Sequence, residues 1–235
     1  MTQPLRLLVH GASGRMGQTL LRLAAERDDL RLVAAVARGS SDLALLGHPF
    51  HPVADLDRAP EFDVAVDFSL PAAFDAILAL CARRRAAFVS GTTGLAAQQK
   101  AALEAASRYI PTLWAANFSL GVAVLDELVE RAAAALQGWD CDIVEAHHTR
   151  KLDAPSGTAL ALGAAARRGG ADPRYASLRA GDIVGEHLVQ FAGIGERIEL
   201  VHRATSRDIF ARGALHAAGR LPGRAPGSYR LRDVI

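Results

Sequence analysis

An apolar run, Leu5–His10, leads directly into a glycine-rich segment at residues 11–17, and this junction restricts the fold more than any other feature. The run predicts a buried strand, and the apolar spacing of residues 18–27 predicts the helix after it. A strand that turns sharply into a helix is typical of a parallel sheet with helical crossover connections.

Strands and helices are predicted to alternate through the first half of the chain. Further strands are expected at residues 32–37, 62–68, 87–90 and 112–116, and helices at 71–84 and 96–107. Such alternation predicts an α/β domain with a mostly parallel sheet that is covered on both faces.

The pattern changes after residue 117. We expect helices at 120–136 and 155–168, a strand at 142–148, and strands at 177–184, 187–192 and 196–203 that pair antiparallel. This arrangement predicts a smaller α+β domain at residues 119–207. A helix at 206–221 is expected to pack back on the first domain, which would then comprise residues 1–118 and 208–235.

The glycine segment has the spacing G-x-x-G-x-x-G between the first strand and the first helix. Glycines let the backbone approach a pyrophosphate closely, and a helix N-terminus supplies unpaired N–H groups and a partial positive charge. Three glycines could also be simple turn residues, but their position between strand and helix favours a nucleotide site.

The residue after the second strand bears on which nicotinamide cofactor is bound. An acidic residue at this position hydrogen-bonds to the ribose hydroxyls of NAD, whereas an arginine can bind the 2′-phosphate of NADP. The strand here ends at Ala37 and is followed by Arg38. The sequence therefore favours NADPH over NADH, although Arg38 could also be a solvated loop residue.

Residues 145–158 carry the densest group of reactive side chains. His147 and His148 are adjacent, but neighbours on a strand point to opposite faces and no further ligand follows at zinc spacing, so we expect no metal site. A histidine can instead donate a proton after hydride transfer. Lys151 can balance the charge of an anion, and it is one of only two lysines, the other being Lys100.

The segment from Pro155 to Thr158 opens a predicted helix. Its free N–H groups and the Thr158 hydroxyl form a small anion site, and Gly157 permits the close approach of a carboxylate. A plain capped helix start is the alternative. Together with His147 and Lys151, this segment predicts a pocket for a small acid with carboxylate groups.

The composition excludes several classes of protein. A net charge of +2 argues against a nucleic-acid protein built on one long basic stretch. The two cysteines, Cys81 and Cys141, have no CxxC spacing, and no apolar run is long enough to span a membrane. We expect buried free thiols and a cytoplasmic protein that binds neither nucleic acid nor membrane.

The motifs, taken in order, resemble the bacterial dihydrodipicolinate reductase family over nearly the whole chain, and the segment at 145–159 is the most specific of them. They are GASGRMG (11–17), DFSLP (67–71), GTTG (91–94), AANFS (115–119), EAHHTRKLDAPSGTA (145–159), RAGDIVGEH (179–187) and SRDIFARGA (206–214). The resemblance implies a Rossmann-like cofactor domain, a substrate domain with a mixed sheet, and a homotetramer.

The implied reaction reduces the dehydration product of 4-hydroxy-tetrahydrodipicolinate to tetrahydrodipicolinate with NADPH or NADH, a step of lysine and diaminopimelate biosynthesis. His147 resembles the family's proton donor, and Lys151 resembles its partner acid and carboxylate anchor. His148, Gly157 and Thr158 resemble substrate-binding residues, and Arg207 falls in a hinge region. The implied cofactor residues are Gly11, Ala12, Ser13, Gly14, Arg15, Met16, Arg38, Gly91, Thr92, Thr93, Ala115, Ala116, Asn117 and Phe118.

Two other functions remain open on the residues alone. One is another small-acid dehydrogenase, such as an aspartate or homoserine dehydrogenase, which would oxidise NADPH only with that substrate. The other is a non-catalytic NADP-sensing regulator, which would bind the cofactor tightly without turnover.

Ala37 stands where some members of the family carry an acidic residue, and this difference further favours NADPH over NADH.

Overall fold

The computed structural model describes residues 3–39 and 47–235 and divides the chain into two compact units. The first unit contains the residues up to Phe118 together with Phe210–Ile235, and the second contains Ser119–Ile209. In the described parts of the chain, no helix is both long and apolar enough to cross a membrane.

The first unit is built on a parallel sheet. The strands in the described residues are β1 (Leu5–His10), β2 (Leu30–Ala37), β3 (Phe50–Pro52), β4 (Val64–Asp67), β5 (Ala87–Ser90), β6 (Pro111–Trp114) and β11 (Gly227–Tyr229). They form one seven-stranded sheet in the order β11-β6-β5-β4-β1-β2-β3, and every pair is parallel. The predicted α/β class is therefore confirmed.

The helices of this unit are α1 (Arg15–Ala24), α2 (Pro71–Arg84), α3 (Ala97–Ser107) and α6 (Asp208–Arg220), with short 3-10 helices at Val53–Arg58 and Leu231–Val234. Phe74 and Phe88 meet edge to face in the fully buried core between helix and sheet. Helix α2 has the predicted bounds because Pro71 suits the first helical turn.

Two details of this unit differ from the predictions. Helix α1 begins at Arg15 rather than residue 18, since Gly17 lies in its first turn with no side chain to obstruct the preceding loop. The short strands β3 and β11 were not predicted, because three residues carry too little pattern to distinguish a strand from a loop.

The second unit packs α4 (Leu120–Ala135) and α5 (Gly157–Arg168) on one mixed sheet. Its strands are β7 (Asp140–His147), β8 (Pro173–Arg179), β9 (Gly185–Gly193) and β10 (Glu196–Ala204), in the order β10-β9-β7-β8. The apolar residues Ile143, Val189 and Phe191 are fully buried against the helices. The predicted smaller domain with a mixed sheet is therefore present.

The predicted strand at 177–184 is wrong in position and in pairing. Residues 180–184 form a turn around Gly181, whose φ of +49° lies in the left-handed region. The strand lies earlier, at Pro173–Arg179, and pairs parallel with β7 instead of antiparallel with its neighbour along the chain. On this strand, the hydroxyl of Tyr175 packs against Gly163 of α5.

Candidate active site

Most of the predicted cofactor residues follow strands at the carboxyl edge of the parallel sheet. The glycine segment follows β1, Arg38 follows β2, Gly91 and its neighbours follow β5, and Ala115 and its neighbours follow β6. Strand order reverses between β1 and β4, which are adjacent although distant in sequence. In open parallel sheets, ligands bind outside the carboxyl ends of the strands at such a reversal.

The glycine turn leaves the helix N-terminus bare. Gly11 has a φ of +80°, and a Cβ there would come 2.5 Å from the carbonyl oxygen of Phe68. A Cβ on Gly17 would overlap the carbonyl oxygen of Gly11. Gly14 precedes α1 and makes no side-chain cap, so the first N–H groups of the helix stay available. This geometry fits the pyrophosphate of a dinucleotide.

Arg38 lies beside that turn and is exposed to solvent. The backbone N–H groups of Gly11 and Ala12 both donate to the carbonyl oxygen of Val36, at 3.1 and 3.0 Å, which joins the turn to the end of β2. Ala37 is buried and offers no carboxylate at the strand end. This strand end therefore carries the positive charge of Arg38 and no carboxylate on Ala37.

Beneath these loops lies a buried polar network centred on Asp67. Its carboxylate lies 2.8 Å from His10 Nδ1 and accepts hydrogen bonds from the hydroxyls of Ser90 and Thr92 at 2.8 and 2.7 Å. Burial acts to raise the pKa of Asp67, but these contacts, the hydrogen bond from His10 first, outweigh burial and lower the pKa. The side chain of Thr92 therefore anchors the loop after β5 to buried Asp67.

The other predicted residues at this edge differ in exposure. Thr93 and Ala116 are exposed, whereas Phe118 is buried with its ring centroid 5.5 Å from that of Phe68. A Cβ on Gly91 would overlap the Phe68 ring. Phe118 and Gly91 thus pack around Phe68 beneath the carboxyl edge of the sheet, whereas Thr93 and Ala116 are exposed to solvent there.

The second unit holds the predicted chemical group at the end of β7. Glu145 and His147 point to the same face of the strand, because side chains alternate with a period of two. Glu145 Oε2 lies 2.5 Å from His147 Nδ1, and its side chain is fully buried. The strand ends at His147, so His148 lies in the following loop rather than on the opposite strand face.

Glu145 also accepts a bidentate pair of hydrogen bonds from Arg179 on β8. The two terminal nitrogens of Arg179 donate to Oε2 and Oε1 at 2.9 and 2.7 Å, and the backbone N–H of Ser156 donates to Oε1 at 3.2 Å. Burial acts to raise the pKa of Glu145, but hydrogen bonds from Arg179, Ser177 and His147 outweigh it and lower the pKa to about 2. Glu145 is therefore ionised at neutral pH.

The loop after β7 carries Lys151 and His148. Lys151 Nζ lies 2.8 Å from both carboxylate oxygens of Asp153, and its side chain is 21% exposed. His148 Nε2 lies 3.1 Å from a terminal nitrogen of exposed Arg207. Burial, followed by the charges of Arg150 and Arg207, lowers the pKa of His148. The loop therefore carries two positive charges of its own, on Arg150 and Lys151, and Arg207 adds a third beside His148.

The segment predicted to bind an anion forms a capped helix start at the beginning of α5. Ser156 caps the helix by accepting the N–H of Ala159 at 3.2 Å. Gly157 is exposed, and a Cβ there would meet nothing within 4 Å, while Thr158 is half-buried. The first turn thus presents backbone N–H groups to an open surface.

Sequence reasoning missed the residues that hold His147 in place: Glu145, Arg179 and His187. The buried ring of His187 meets that of His147 edge to face, with centroids 5.2 Å apart. The period-two spacing of positions 145 and 147 could have indicated Glu145. No local pattern could have indicated Arg179, because its partner lies 34 residues away along the chain.

No group of three or more His, Cys, Asp or Glu side chains within residues 3–39 and 47–235 is arranged to hold a metal ion. Cys81 and Cys141 are both buried and unpaired with each other, as the sequence predicted. Burial raises the pKa of the Cys141 thiol to about 11 and that of Cys81 still further.

Comparison with known proteins gives a consistent result along the whole chain. The family profile described as "Dihydrodipicolinate reductase, N-terminus" matches residues 5–118, and "Dihydrodipicolinate reductase, C-terminus" matches residues 121–235. Proteins named 4-hydroxy-tetrahydrodipicolinate reductase from Stenotrophomonas maltophilia and Xanthomonas campestris are 71% and 64% identical. The alignments cover 99% and 100% of this chain and 98% and 99% of those proteins.

The structural comparison agrees on the fold. A dipicolinate-bound dihydrodipicolinate reductase from Paenisporosarcina has a TM-score of 0.79 at 22% identity, with 99% of this chain and all of that chain covered. An aspartate dehydrogenase from Thermotoga maritima has a TM-score of 0.52 at 11% identity, with 92% and 95% covered. The profiles and the full-length relatives show that this chain belongs to the dihydrodipicolinate reductase family.

Proposed function

We propose that this reductase converts dihydrodipicolinate, formed from 4-hydroxy-tetrahydrodipicolinate, into tetrahydrodipicolinate with NADPH in lysine and diaminopimelate biosynthesis. The relatives that carry this activity in their name are 64–71% identical over the full chain. The observation that carries the proposal is the buried Glu145–His147 pair, which lies on β7 directly before the Lys151 loop. A histidine held in this way is suited to donate a proton.

The second unit would bind the dicarboxylate. Lys151 supplies an ammonium group, and the N-terminus of α5 at Gly157 and Thr158 supplies backbone N–H groups, so the two can take one carboxylate each. His148, next to Arg207, adds a further polar contact at the same loop. His147 would deliver a proton to the reduced imine as negative charge develops on it.

The first unit would hold the nicotinamide cofactor, which supplies the hydride when bound. The turn at residues 11–16 fits the pyrophosphate, and Arg38 fits the 2′-phosphate, which favours NADPH with NADH as a weaker alternative. Residues 91–93 and 115–118 follow β5 and β6 at the same edge of the sheet and would flank the nicotinamide half. This assignment gives residues 1–118 and 208–235 to the cofactor and 119–207 to the substrate.

We also propose a homotetramer that assembles through the second unit, in the cytoplasm. On the face of its sheet that points away from α4 and α5, Val201 and Leu178 are exposed, and a partner copy would cover these apolar side chains. Light scattering of the purified chain measures the assembly directly, and a monomer at micromolar concentration would contradict it.

The decisive experiment couples the protein to dihydrodipicolinate synthase, pyruvate and aspartate semialdehyde and follows NADPH absorbance. We expect His147→Gln to lower kcat by about 10²- to 10⁴-fold while NADPH affinity stays near that of the parent. Lys151→Ala should lower kcat and raise KM for the substrate. Its matched control is Lys100→Ala, because Lys100 is the only other lysine and lies exposed on α3.

Three outcomes would contradict the proposal. An equal loss of turnover and of NADPH affinity in His147→Gln would remove the role of proton donor. NADPH oxidation only with another small acid would indicate a different dehydrogenase. Tight cofactor binding with no turnover on any cyclic imine dicarboxylate would indicate an NADP-sensing protein.

A further inference from the structure

We propose that Glu145 is a positioning residue that keeps a hydrogen on Nδ1 of His147, so that Nε2 is the atom that gains and loses the catalytic proton. The proposal rests on the proposed function of His147 as proton donor. It adds which ring nitrogen acts and which residue selects it.

The selection follows from the hydrogen bonds of the Glu145 carboxylate. It is fully buried and accepts four N–H bonds, two on each oxygen. Oε2 receives Arg179 and His147 Nδ1, at 2.9 and 2.5 Å, and Oε1 receives Arg179 and Ser156 N, at 2.7 and 3.2 Å. An ionised carboxylate can only accept, so His147 must carry its hydrogen on Nδ1 to make this contact.

The other ring nitrogen is left free to act. Within the described residues, His147 Nε2 has no hydrogen-bond partner. It points towards Gly185, where an added Cβ would come within 3.0 Å of it. When the ring is neutral, Nε2 therefore carries a bare lone pair, and when the ring is charged, Nε2 carries the proton that can be donated.

The same carboxylate also holds the C-terminal part of the loop that carries Lys151. Arg179, held by Glu145, also donates to the carbonyl oxygen of Asp153 at 2.6 Å. The N–H of Ser156, the helix cap, donates to Glu145 directly. One buried charge thus connects the proton donor to the two groups proposed to bind the dicarboxylate.

In Glu145→Gln, the amide can place its NH2 group at either of the two former oxygen positions, and the two orientations predict opposite tautomers of His147. In Glu145→Gln, an NH2 group at the Oε1 position would face two donors, Arg179 and Ser156 N. An NH2 group at the Oε2 position would also face Arg179, but His147 can relieve its own conflict by moving its hydrogen from Nδ1 to Nε2. The second arrangement leaves fewer opposed N–H groups, so the amide should reverse the tautomer of His147.

The test is nitrogen NMR of the full chain labelled in its histidine rings, recorded without cofactor at a pH where the ring is neutral. Protonated and bare ring nitrogens resonate in well separated regions, and His147→Gln identifies the signals of His147. We expect the parent protein to show hydrogen on Nδ1 and Glu145→Gln to show it on Nε2. Coupled assays of Glu145→Gln should show kcat lowered by about 10²- to 10⁴-fold, as when a catalytic histidine has the wrong tautomer.

Two controls separate this effect from a general disturbance. Asp142→Asn breaks another carboxylate–arginine pair between the same strands, with Arg174, and should leave the His147 signals unchanged. His10, paired with Asp67 in the first unit, should keep its signals in every variant.

Hydrogen on Nε2 in the parent protein, or on Nδ1 in a folded Glu145→Gln, would overturn the proposal. The first of these is decided without any variant at position 145, so a poorly folded Glu145→Gln leaves the test intact. Because the spectra are recorded without turnover, a missing reductase activity would contradict the proposed function and not the tautomer.

Discussion

Acid should destabilise the second unit through His187. This ring is 4% exposed, its Nε2 lies 3.2 Å from the Ser156 hydroxyl, and its buried Nδ1 has no partner among the described residues. Burial first, and then the charges of His147 and His202, lower the pKa of His187 from 6.5 to about 4. Protonation of His187 therefore places a positive charge in a buried environment that stabilises it poorly.

The sign and size follow from proton linkage. Between the two pKa values the unfolded chain binds more protons than the folded unit, so stability falls as pH falls. The contribution is fully present above the unfolded pKa of 6.5 and is lost as pH approaches the folded value near 4. From about pH 7.5 to about pH 5, one such group costs about 2 kcal/mol of unfolding free energy.

The assay is urea unfolding followed by tryptophan fluorescence. The chain has two tryptophans, so Trp114→Phe leaves Trp139 to report on the second unit. His187→Gln keeps a polar partner for Ser156 but does not titrate, and it should remove about 2 kcal/mol of the pH dependence. The pH range ends at about 5 because the stabilisation from Glu145, whose pKa is lowered from 4.5 to about 2, begins to be lost only below that pH.

The control is Glu186→Gln at the adjacent position of β9. Glu186 forms an exposed pair with Arg203, and such a pair contributes about 0–1 kcal/mol. Its removal should leave the slope against pH nearly unchanged. If the unfolding free energy of His187→Gln declined with acid as steeply as that of the parent, the burial argument would be wrong.

Three further changes test other parts of the structure. Arg38→Ala should raise KM for NADPH by about 10- to 100-fold and leave KM for NADH nearly unchanged, as steady-state kinetics would show, because only NADPH offers a second phosphate. Gly17→Ala places a Cβ against the backbone of the preceding turn, so thermal unfolding should show a loss of about 1–3 kcal/mol, whereas Gly157→Ala meets nothing within 4 Å and should fold normally. Gly185→Ala brings a Cβ within 3.0 Å of His147 Nε2 and should lower kcat by about tenfold with the melting temperature little changed.

The site could be predicted from the sequence where the chemistry is local. The glycine turn, Arg38, His147, Lys151 and the helix start at Gly157 were all indicated by residue type and spacing. The family resemblance, now confirmed by the profile matches, added the roles that spacing alone left open. The roles themselves remain predictions for the experiments above.

The supports of the site could not be predicted in this way. Asp67 joins three strands through His10, Ser90 and Thr92, and its role depends on the lateral order of those strands. Thr92 illustrates the difference, because the family resemblance implied a cofactor residue, whereas its hydroxyl donates to buried Asp67.

The sequence by itself determined the alternation of strands and helices, the turn after β1 and the order of the motifs, because each depends on neighbours within a few residues. Only the tertiary structure decided that β8 pairs parallel with β7 and that Arg179, Ser156 and His147 meet on one carboxylate. The physical reason is that a buried charge is stable only where enough donors converge on it. Donors that lie 2, 11 and 34 residues from Glu145 converge only once the sheet has formed.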